Sequence, residues 1–550
     1  MWTRGNSMPA MNHLILLPIL LPLLTAAIII PIDERRRPIK AVISFLSTLF
    51  LVFIAMALIV VAKAEPDASS NAYLLGNWPA PFGIVFVLDR LSALMLLLTS
   101  VLGLATHIYA LARWHNAGQH FHTMLQLLFV GINGAFLTGD LFNLFVFFEV
   151  MLAASYGLML HGSGPVRVKA GLHYIAINLA ASFLFLIGVS LIYGSTGTLN
   201  MADLAVKITQ IGPETRMMME AGAAILGVAF LVKAGMWPLG FWLPPAYAAA
   251  SPPAAAIFAI LSKVGIYIIL RLSLLLFSDQ AGTSTGFGTW VLLLGGLATI
   301  VFGLVGVLAS QAVPRLASYC LLISSGTLLA AIGLGNTAVI GGALFYLVSS
   351  TLAIGAFFLL IELVERGRDA GADVLAVTME AYGDTDEDTV EEEIGVSIPA
   401  TMAILGGCFC LVALLISGLP PFSGFIAKFS ILNGVFNPSG MGNSSHALTA
   451  ADWSYVTLVI ISGLASMIAL SRVGIRTFWA SIEGTIPRVV LLEIVPVAAL
   501  LAVCVGMTIL AGPTMRYMEA TARSLQRPEL YIQQVIGLKP VAPPTTGEAP

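Results

Sequence analysis

The sequence contains fourteen apolar segments that are long enough to cross a membrane as helices. A spanning helix needs about 20 mostly apolar residues. Only 10% of the residues are charged, against roughly 25% in soluble domains. We therefore predict an all-α polytopic membrane protein with segments 1 to 14 at 14–31, 41–62, 84–112, 121–138, 141–161, 170–194, 217–243, 252–277, 288–310, 315–335, 338–363, 397–436, 453–479 and 489–512.

The distribution of Lys and Arg predicts the orientation of these segments. Twelve such residues lie in loops after odd-numbered segments and four in the other loops, apart from four in the C-terminal tail. The positive-inside rule then places both termini outside. An acidic stretch at 364–396, with eleven Asp and Glu residues, is predicted to be a solvated cytoplasmic loop. The polar stretch 195–216 is predicted to form a short helix along the outer face.

Two pairs of similar motifs indicate an internal repeat. Gly235–Phe241 and Gly418–Phe425 are both rich in Pro and Gly. Each is followed by a second motif that is similar in the two halves, Ser262–Ile266 and Ser471–Ile475. The order and spacing predict two five-helix units, segments 4–8 and 9–13, with broken helices in segments 7 and 12. Because five is odd, the two units enter the membrane from opposite sides, as in many secondary transporters. Two unrelated proline kinks are the alternative.

The repeat divides the chain into four expected regions. These are 1–120 with segments 1 to 3, 121–280 with the first repeat, 281–480 with the second repeat and the acidic loop, and 481–550 with segment 14 and a C-terminal tail that is predicted to be loose beyond Thr521.

Four ionisable residues lie near the centres of apolar segments: Glu149, Lys233, Lys263 and Lys428. A charge at the bilayer centre costs at least ~2.5–3.5 kcal/mol, so such groups usually face a bundle interior and mark an ion or proton path. Lysine suits a relay because burial readily makes it release its proton, whereas arginine stays charged. One acid and three lysines in one chain therefore predict a proton relay.

Glu149 and Lys233 are predicted to form a switchable pair. Lys233 lies two residues before the break in segment 7, where unwinding can admit water. Two unit charges about 4 Å apart interact by ~4 kcal/mol at an effective dielectric constant of ~20, enough for the contact to control protonation. A permanent ion pair that locks two helices is the alternative. For Lys263 and Lys428 the alternative is a snorkelling or structural role.

These motifs resemble one known family. Thr138–Glu149 resembles the fifth helix of the antiporter-like subunits shared by respiratory complex I and the Mrp-type (also called Mnh or Pha) multisubunit cation/proton antiporters. Val232–Pro238 resembles that family's helix-seven motif, Ser262–Gly265 its helix-eight lysine, and Gly418–Lys428 its broken helix twelve. The resemblance covers roughly residues 85–515. Within the family, the D subunits fit best, particularly the Pha-type branch associated with potassium.

The resemblance implies a glutamate–lysine pair, a central lysine and a distal lysine on a hydrated polar axis. It implies a proton-translocating subunit of a multisubunit Na+ or K+/proton antiporter in the bacterial inner membrane. The implied partners are the other antiporter subunits, protons, Na+ or K+ and lipid. The rival interpretation is the proton-pumping membrane subunit of a redox complex, either NADH:quinone oxidoreductase or a membrane-bound hydrogenase. A free-standing solute carrier is a third possibility, for which no substrate pocket can be named.

Two departures from the family pattern matter. Complex I relatives usually carry Leu-Pro-Asp-Ala-His after the helix-seven tryptophan, but this chain has Leu-Pro-Pro-Ala-Tyr at 243–247, which favours an antiporter subunit. A histidine common in helix eleven of relatives is replaced by Ser349, which removes the imidazole expected in that half of the axis. We expect no cofactor and, at a net charge of −3, no nucleic acid partner; no metal ligand set can be assigned.

Overall fold

The computed structural model describes residues 13–63, 70–366, 400–438, 448–478 and 489–538. Within these ranges, twelve helices are long and apolar enough to cross a membrane, and shorter apolar helices lie at Leu14–Ile29, Phe121–Leu137 and Ser423–Phe436. The predicted polytopic helical fold is confirmed. The elements are α1 (Leu17–Ile29), α2 (Arg37–Lys63), β1 (Ser70–Leu74), β2 (Val85–Asp89), α3 (Arg90–Ala112), α4 (Phe121–Leu137), α5 (Leu141–Leu160), α6 (Pro165–Thr196), α7 (Met201–Ile208), α8 (Pro213–Ala234), α9 (Leu243–Ala249), α10 (Pro252–Leu276), α11 (Thr289–Ala309), α12 (Val313–Leu334), α13 (Thr337–Glu365), α14 (Ala400–Ser417), α15 (Ser423–Phe436), α16 (Ala450–Phe478), α17 (Leu491–Ile509), α18 (Ala511–Leu525) and α19 (Pro528–Ile536).

The two predicted repeats show the same helix pairings. Segment 12 is split into α14 and α15. Segment 7 is helical only as far as the end of α8 at Ala234, and the short helix α9 begins at its last residue. Helix α4 packs on α5 as α11 packs on α12. Both halves of each broken helix pack on the helix before it, α8 and α9 on α6, and α14 and α15 on α13. Helices α10 and α13 run through the centre of the bundle and are buried along their hydrophobic length.

Each break begins at a glycine in a left-handed backbone conformation. Gly235 has φ +77° and Gly418 has φ +78°, a region that glycine adopts without the steric cost of a Cβ atom. The break leaves carbonyls of the preceding helix without their helical partners. After α8 the Val232 carbonyl accepts from the Gly235 backbone N–H and also from Trp242 Nε1, both at 3.2 Å. The corresponding carbonyls of α14 belong to the functional site described below.

A β-hairpin precedes α3 where the sequence predicted a continuous helix over 84–112. Strands β1 and β2 pair antiparallel, with Leu74 opposite Val85. The prediction was wrong over 84–89 because the apolar run in β2 has the same hydropathy as the helix after it. The signal for the true boundary is Asp89, which caps α3 by accepting from the Ser92 backbone N–H at 2.8 Å.

The remaining loops agree in part with the sequence. The predicted short helix within 195–216 is α7, capped by the Asn200 side chain. The loose tail predicted beyond Thr521 is wrong for residues 522–538, because α18 continues to Leu525 and α19 follows it. The apolar face of α19 is what the sequence analysis overlooked, and its Tyr531 ring lies against the Arg271 guanidinium. In the acidic stretch 364–396, residues 364 and 365 end α13, and 367–396 lie outside the described residues.

A buried ion pair joins the hairpin to α10. The Arg271 guanidinium donates to both carboxylate oxygens of Asp89, at 2.5 and 2.9 Å, and to the Tyr267 hydroxyl at 2.9 Å. Burial alone would raise the pKa of Asp89, but the Arg271 charge holds that pKa below its usual value. The stabilisation from this carboxylate is therefore present at neutral pH and is lost as the pH falls through the lowered pKa.

We expect Asp89→Ala to destabilise the protein by about 3–5 kcal/mol, because it leaves the Arg271 charge buried and unpaired. The double variant Asp89→Ala/Arg271→Met should recover much of this loss. Lys207→Ala is the control, since it removes a surface pair with Asp203 of a kind that contributes about 0.3–0.5 kcal/mol. Thermal unfolding of the purified protein measures all three. A double variant as unstable as Asp89→Ala would contradict the expectation.

Candidate functional site

Glu149 lies in the middle of α5 and is half-buried. Its carboxylate accepts a 2.5 Å hydrogen bond from the Ser182 hydroxyl of α6. A carboxylate on a membrane-spanning helix is costly to expose to hydrocarbon, so it needs polar neighbours or a covering protein surface. Ser182 supplies one such neighbour on the inner side of Glu149.

Lys233 lies in the last turn of α8 and is 4% exposed. Its Nζ lies 5.0 Å from the centroid of the ring of Phe148, which is the residue before Glu149. A cation–π contact of this kind contributes ~0.5–2 kcal/mol. Within the described ranges this Nζ has no hydrogen-bond partner. Glu149 is the charge that acts on it electrostatically. The structure thus brings Glu149 and Lys233 close together without a direct hydrogen bond between them.

Lys263 lies at the centre of α10 and is fully buried. Its Nζ donates to the Ser324 hydroxyl of α12 at 2.8 Å. The Ser324 hydroxyl in turn shares a 2.9 Å hydrogen bond with the Ser350 hydroxyl of α13. A hydroxyl both donates and accepts hydrogen bonds, so the Ser324 and Ser350 hydroxyls can pass a proton on from Lys263.

A small internal cavity lies beside Ser350 within the second repeat. Ser349, Ser350 and Ile416 are among its lining residues, and it has room for about one water molecule. Lys428 donates from Nζ to the carbonyls of Ser417, at 2.9 Å, and of the lining residue Ile416, at 3.4 Å. These are the carbonyls that the break after α14 sets free. The cavity therefore connects the hydroxyl chain of Lys263 to the helix end that holds Lys428.

The four predicted residues fall into two connected groups. Glu149 and Lys233 form one group, and Lys263 and Lys428 are joined by hydroxyls and the cavity. In the described part of the chain no hydrogen-bonded link joins Lys233 to Lys263. The sequence analysis missed Ser182, Ser324 and Ser350. Adjacent serines in apolar helices, at 324–325 and 349–350, were a usable signal for the last two.

We expect Ser324→Ala to slow proton transfer through this region about 10-fold, since leaving a buried donor unsatisfied costs ~1–3 kcal/mol. The matched control is Ser318→Ala, which removes another buried hydroxyl from α12 that bonds to the Pro314 carbonyl. The measurement is proton flux in vesicles that contain equal amounts of each variant. Equal rates for the two variants would show that the Ser324 hydroxyl takes no part.

Fold and site together define a class of protein: a multi-pass membrane protein with two inverted repeats and a row of ionisable groups through its interior. The family described as NADH:quinone oxidoreductase/Mrp antiporter, transmembrane, matches residues 138–451. The chain belongs to this family, and the matched region contains all four predicted site residues.

Individual relatives match nearly the whole chain. The D subunit of a probable K+/H+ antiporter from Rhizobium meliloti (strain 1021) is 66% identical over 528 residues, 96% of this chain and 98% of that protein. The D subunit of a Na+/H+ antiporter from Alkalihalophilus pseudofirmus is 34% identical over 538 residues, 96% of this chain and 100% of that protein. A chain in the structure of the Mrp complex from Dietzia sp. DQ12-45-1b superposes with a TM-score of 0.77 at 28% identity, covering 96% of this chain and 100% of that one.

Proposed function

We propose that this protein is the proton-translocating subunit of a multisubunit monovalent cation/proton antiporter. The observation that carries the proposal is the row of buried lysines, Lys233, Lys263 and Lys428, with a single carboxylate, Glu149, beside the first of them. A relative that is 66% identical is named as the D subunit of a probable K+/H+ antiporter, and another as the D subunit of a Na+/H+ antiporter. K+ or Na+ is therefore the cation exchanged for protons.

The first half of the axis works by making and breaking one ion pair. When Lys233 leaves the Phe148 ring and reaches Glu149, the carboxylate stabilises the ammonium and the lysine keeps its proton. When the two separate, the buried lysine loses that stabilisation and releases its proton. The movement is one of the Lys233 side chain, whose Nζ already lies against Phe148, the residue next to Glu149 in α5.

The second half passes the proton between fixed groups. Lys263 hands its proton to the Ser324 and Ser350 hydroxyls, and a water in the cavity beyond them carries it to Lys428. Ser349, the position at which the family resemblance implies a histidine, lines the same cavity on α13. Lys428 then holds the proton against the Ser417 carbonyl and releases it at the far end of the axis.

The protein works within a larger assembly. Glu149 is half-exposed on a membrane-spanning helix, and hydrocarbon is a poor environment for a carboxylate. Another subunit that covers this face of α5 would separate the Glu149 carboxylate from the lipid. A similar chain is found in a structure of the Mrp complex, which supports this proposal.

The test compares the purified single chain with the full assembly, both reconstituted in liposomes. We expect cation-dependent proton flux from the assembly and none from the single chain. In the assembly, Lys428→Ala should reduce exchange about 10-fold or more, because it removes a proton carrier, without reducing the amount of assembled complex. The control is Lys207→Ala on the surface helix α7. Robust exchange by the single chain would place the cation path within this sequence and overturn the assembly requirement.

A further inference from the structure

Two arginines of α16 lie outside the lysine axis and reach across to the end of α11. Arg472 donates from Nη2 to the carbonyls of Leu308, at 2.9 Å, and Ser310, at 3.2 Å. One turn further along α16, Arg476 donates to the Gln311 carbonyl at 2.8 Å and to the Gln311 side-chain oxygen at 3.3 Å. These bonds hold both guanidinium groups at one place, between the ends of α11 and α16.

The positive charge of this pair has no counter-charge in the described part of the chain. Arg37, Arg113 and Arg366, at the same end of the bundle, each have a carboxylate oxygen within 4.0 Å. Among the described residues, Arg472 and Arg476 have only neutral oxygens as partners. The Nε of Arg476 is buried and has no acceptor within the described ranges. An anion that supplied an acceptor here would remove the cost of an unsatisfied buried donor.

Arg315 adds a third positive charge at this place. It is the third residue of α12, four residues after Gln311, and its side chain is exposed. Arg315 follows segment 9, and Arg472 and Arg476 lie near the end of segment 13, so all three lie at the end of the bundle that is predicted to be cytoplasmic. The lipid leaflet on that side of a membrane carries anionic phospholipids, which attract basic side chains close to its surface.

Exposed apolar side chains continue from the arginines along both helices. On α16, Ile468 lies one turn before Arg472, and Leu464 lies one turn before Ile468. On α11, Val305 lies one turn before Leu308, and both are exposed. Because α11 and α16 pack on each other, the two apolar faces start from the same basic site. A phospholipid has the matching chemistry, since its anionic headgroup is joined to apolar acyl chains.

We propose that Arg315, Arg472 and Arg476 form the headgroup site of an anionic phospholipid, whose acyl chains lie on the exposed faces of α11 and α16. The phosphate oxygens accept from Arg476 Nε and from guanidinium N–H groups that the α11 end leaves free. The planar guanidinium suits this role because it can bond to a phosphate through two nitrogens at once. The bound lipid thereby links segments 9 and 13, the first and last helices of the second repeat.

The test measures lipid binding rather than transport, so its result does not depend on the proposed function. The purified full assembly is reconstituted in phosphatidylcholine vesicles that contain a small amount of phosphatidylglycerol with a photoreactive acyl chain. After illumination, the labelled peptides are identified by mass spectrometry. We expect label on α11 and α16, and far less label there when phosphatidylcholine carries the same photoreactive chain.

Arg472→Gln/Arg476→Gln should reduce the phosphatidylglycerol label about 25-fold, because each basic residue near an anionic lipid surface contributes a factor of roughly 5. Glutamine keeps an amide that can donate to the carbonyls at the end of α11. The matched control is Arg35→Gln/Arg36→Gln, which removes the same charge from two exposed positions at the same end of the bundle. The control should leave the label on α11 and α16 unchanged.

Four results would overturn the proposal. Equal labelling by the two lipids would mean that the apolar faces alone hold the chains, and unchanged label in Arg472→Gln/Arg476→Gln would mean that the arginines only cap α11. Loss of the label on addition of inorganic phosphate would identify a site for a free anion. No label on either helix would mean that another subunit covers this surface.

Arg315→Gln keeps the proposal testable if the double variant assembles poorly. No described residue bonds to the Arg315 guanidinium, so this substitution removes a charge without breaking a contact within the described chain. The label should fall roughly 5-fold, the factor expected for one basic residue, with assembly unchanged. An unchanged label in this variant would count against the headgroup site in the same way.

Discussion

Lys233→Ala and Glu149→Gln should each abolish cation/proton exchange by the assembled complex, by on the order of 100-fold or more. Alanine removes the proton carrier, and glutamine keeps the shape of Glu149 but cannot become the anion that stabilises the Lys233 ammonium. Because the two residues act as one switch, the double variant should be no worse than either single one.

Exchange is measured in vesicles after the amount of assembled complex has been matched. The control is Glu220→Gln, which neutralises an acid on the same helix as Lys233 that bonds to the Ser284 hydroxyl. Near-normal exchange by either Lys233→Ala or Glu149→Gln would rule out the switch. Poor assembly of both single variants, with recovery in the double variant, would instead identify the pair as a structural lock.

Lys263→Met should be the most damaging substitution in the second half of the axis. Methionine fills the space of the lysine stem without an ionisable group, and α10 is buried on all sides. The Ser324 and Ser350 hydroxyls would remain hydrogen-bonded to each other but would have no proton donor. We expect loss of exchange on the order of 100-fold with assembly retained, measured in the same vesicles. Exchange within a few-fold of normal would mean that protons bypass α10.

The sequence predicted the helices and both breaks because each depends on local signals. Apolar segments of spanning length predict helices, and Gly235 and Gly418 lie in Pro- and Gly-rich motifs that cannot continue a helix. The misplaced boundary at Arg90 arose because an apolar strand and an apolar helix have similar compositions. The cap at Asp89 was visible in the sequence and would have corrected it.

The site was only partly predictable because its polar links form between helices far apart in the chain. Lys263 and its partner Ser324 are 61 residues apart. A serine in an apolar helix often bonds only to a carbonyl of the preceding turn, as Ser318 does to Pro314. A charge at the centre of a segment is informative by itself, whereas a hydroxyl becomes so only through its partners.

Lys263→Arg tests the central claim, that buried lysines carry protons by losing and regaining them. Arginine keeps the positive charge and most of the length of the side chain but does not release its proton in proteins. If the lysines are relay groups, the full assembly with Lys263→Arg should form in normal amounts and exchange at the low rate of Lys263→Met. Exchange at the rate of the unmodified assembly would show that only the charge is needed, and would contradict the relay.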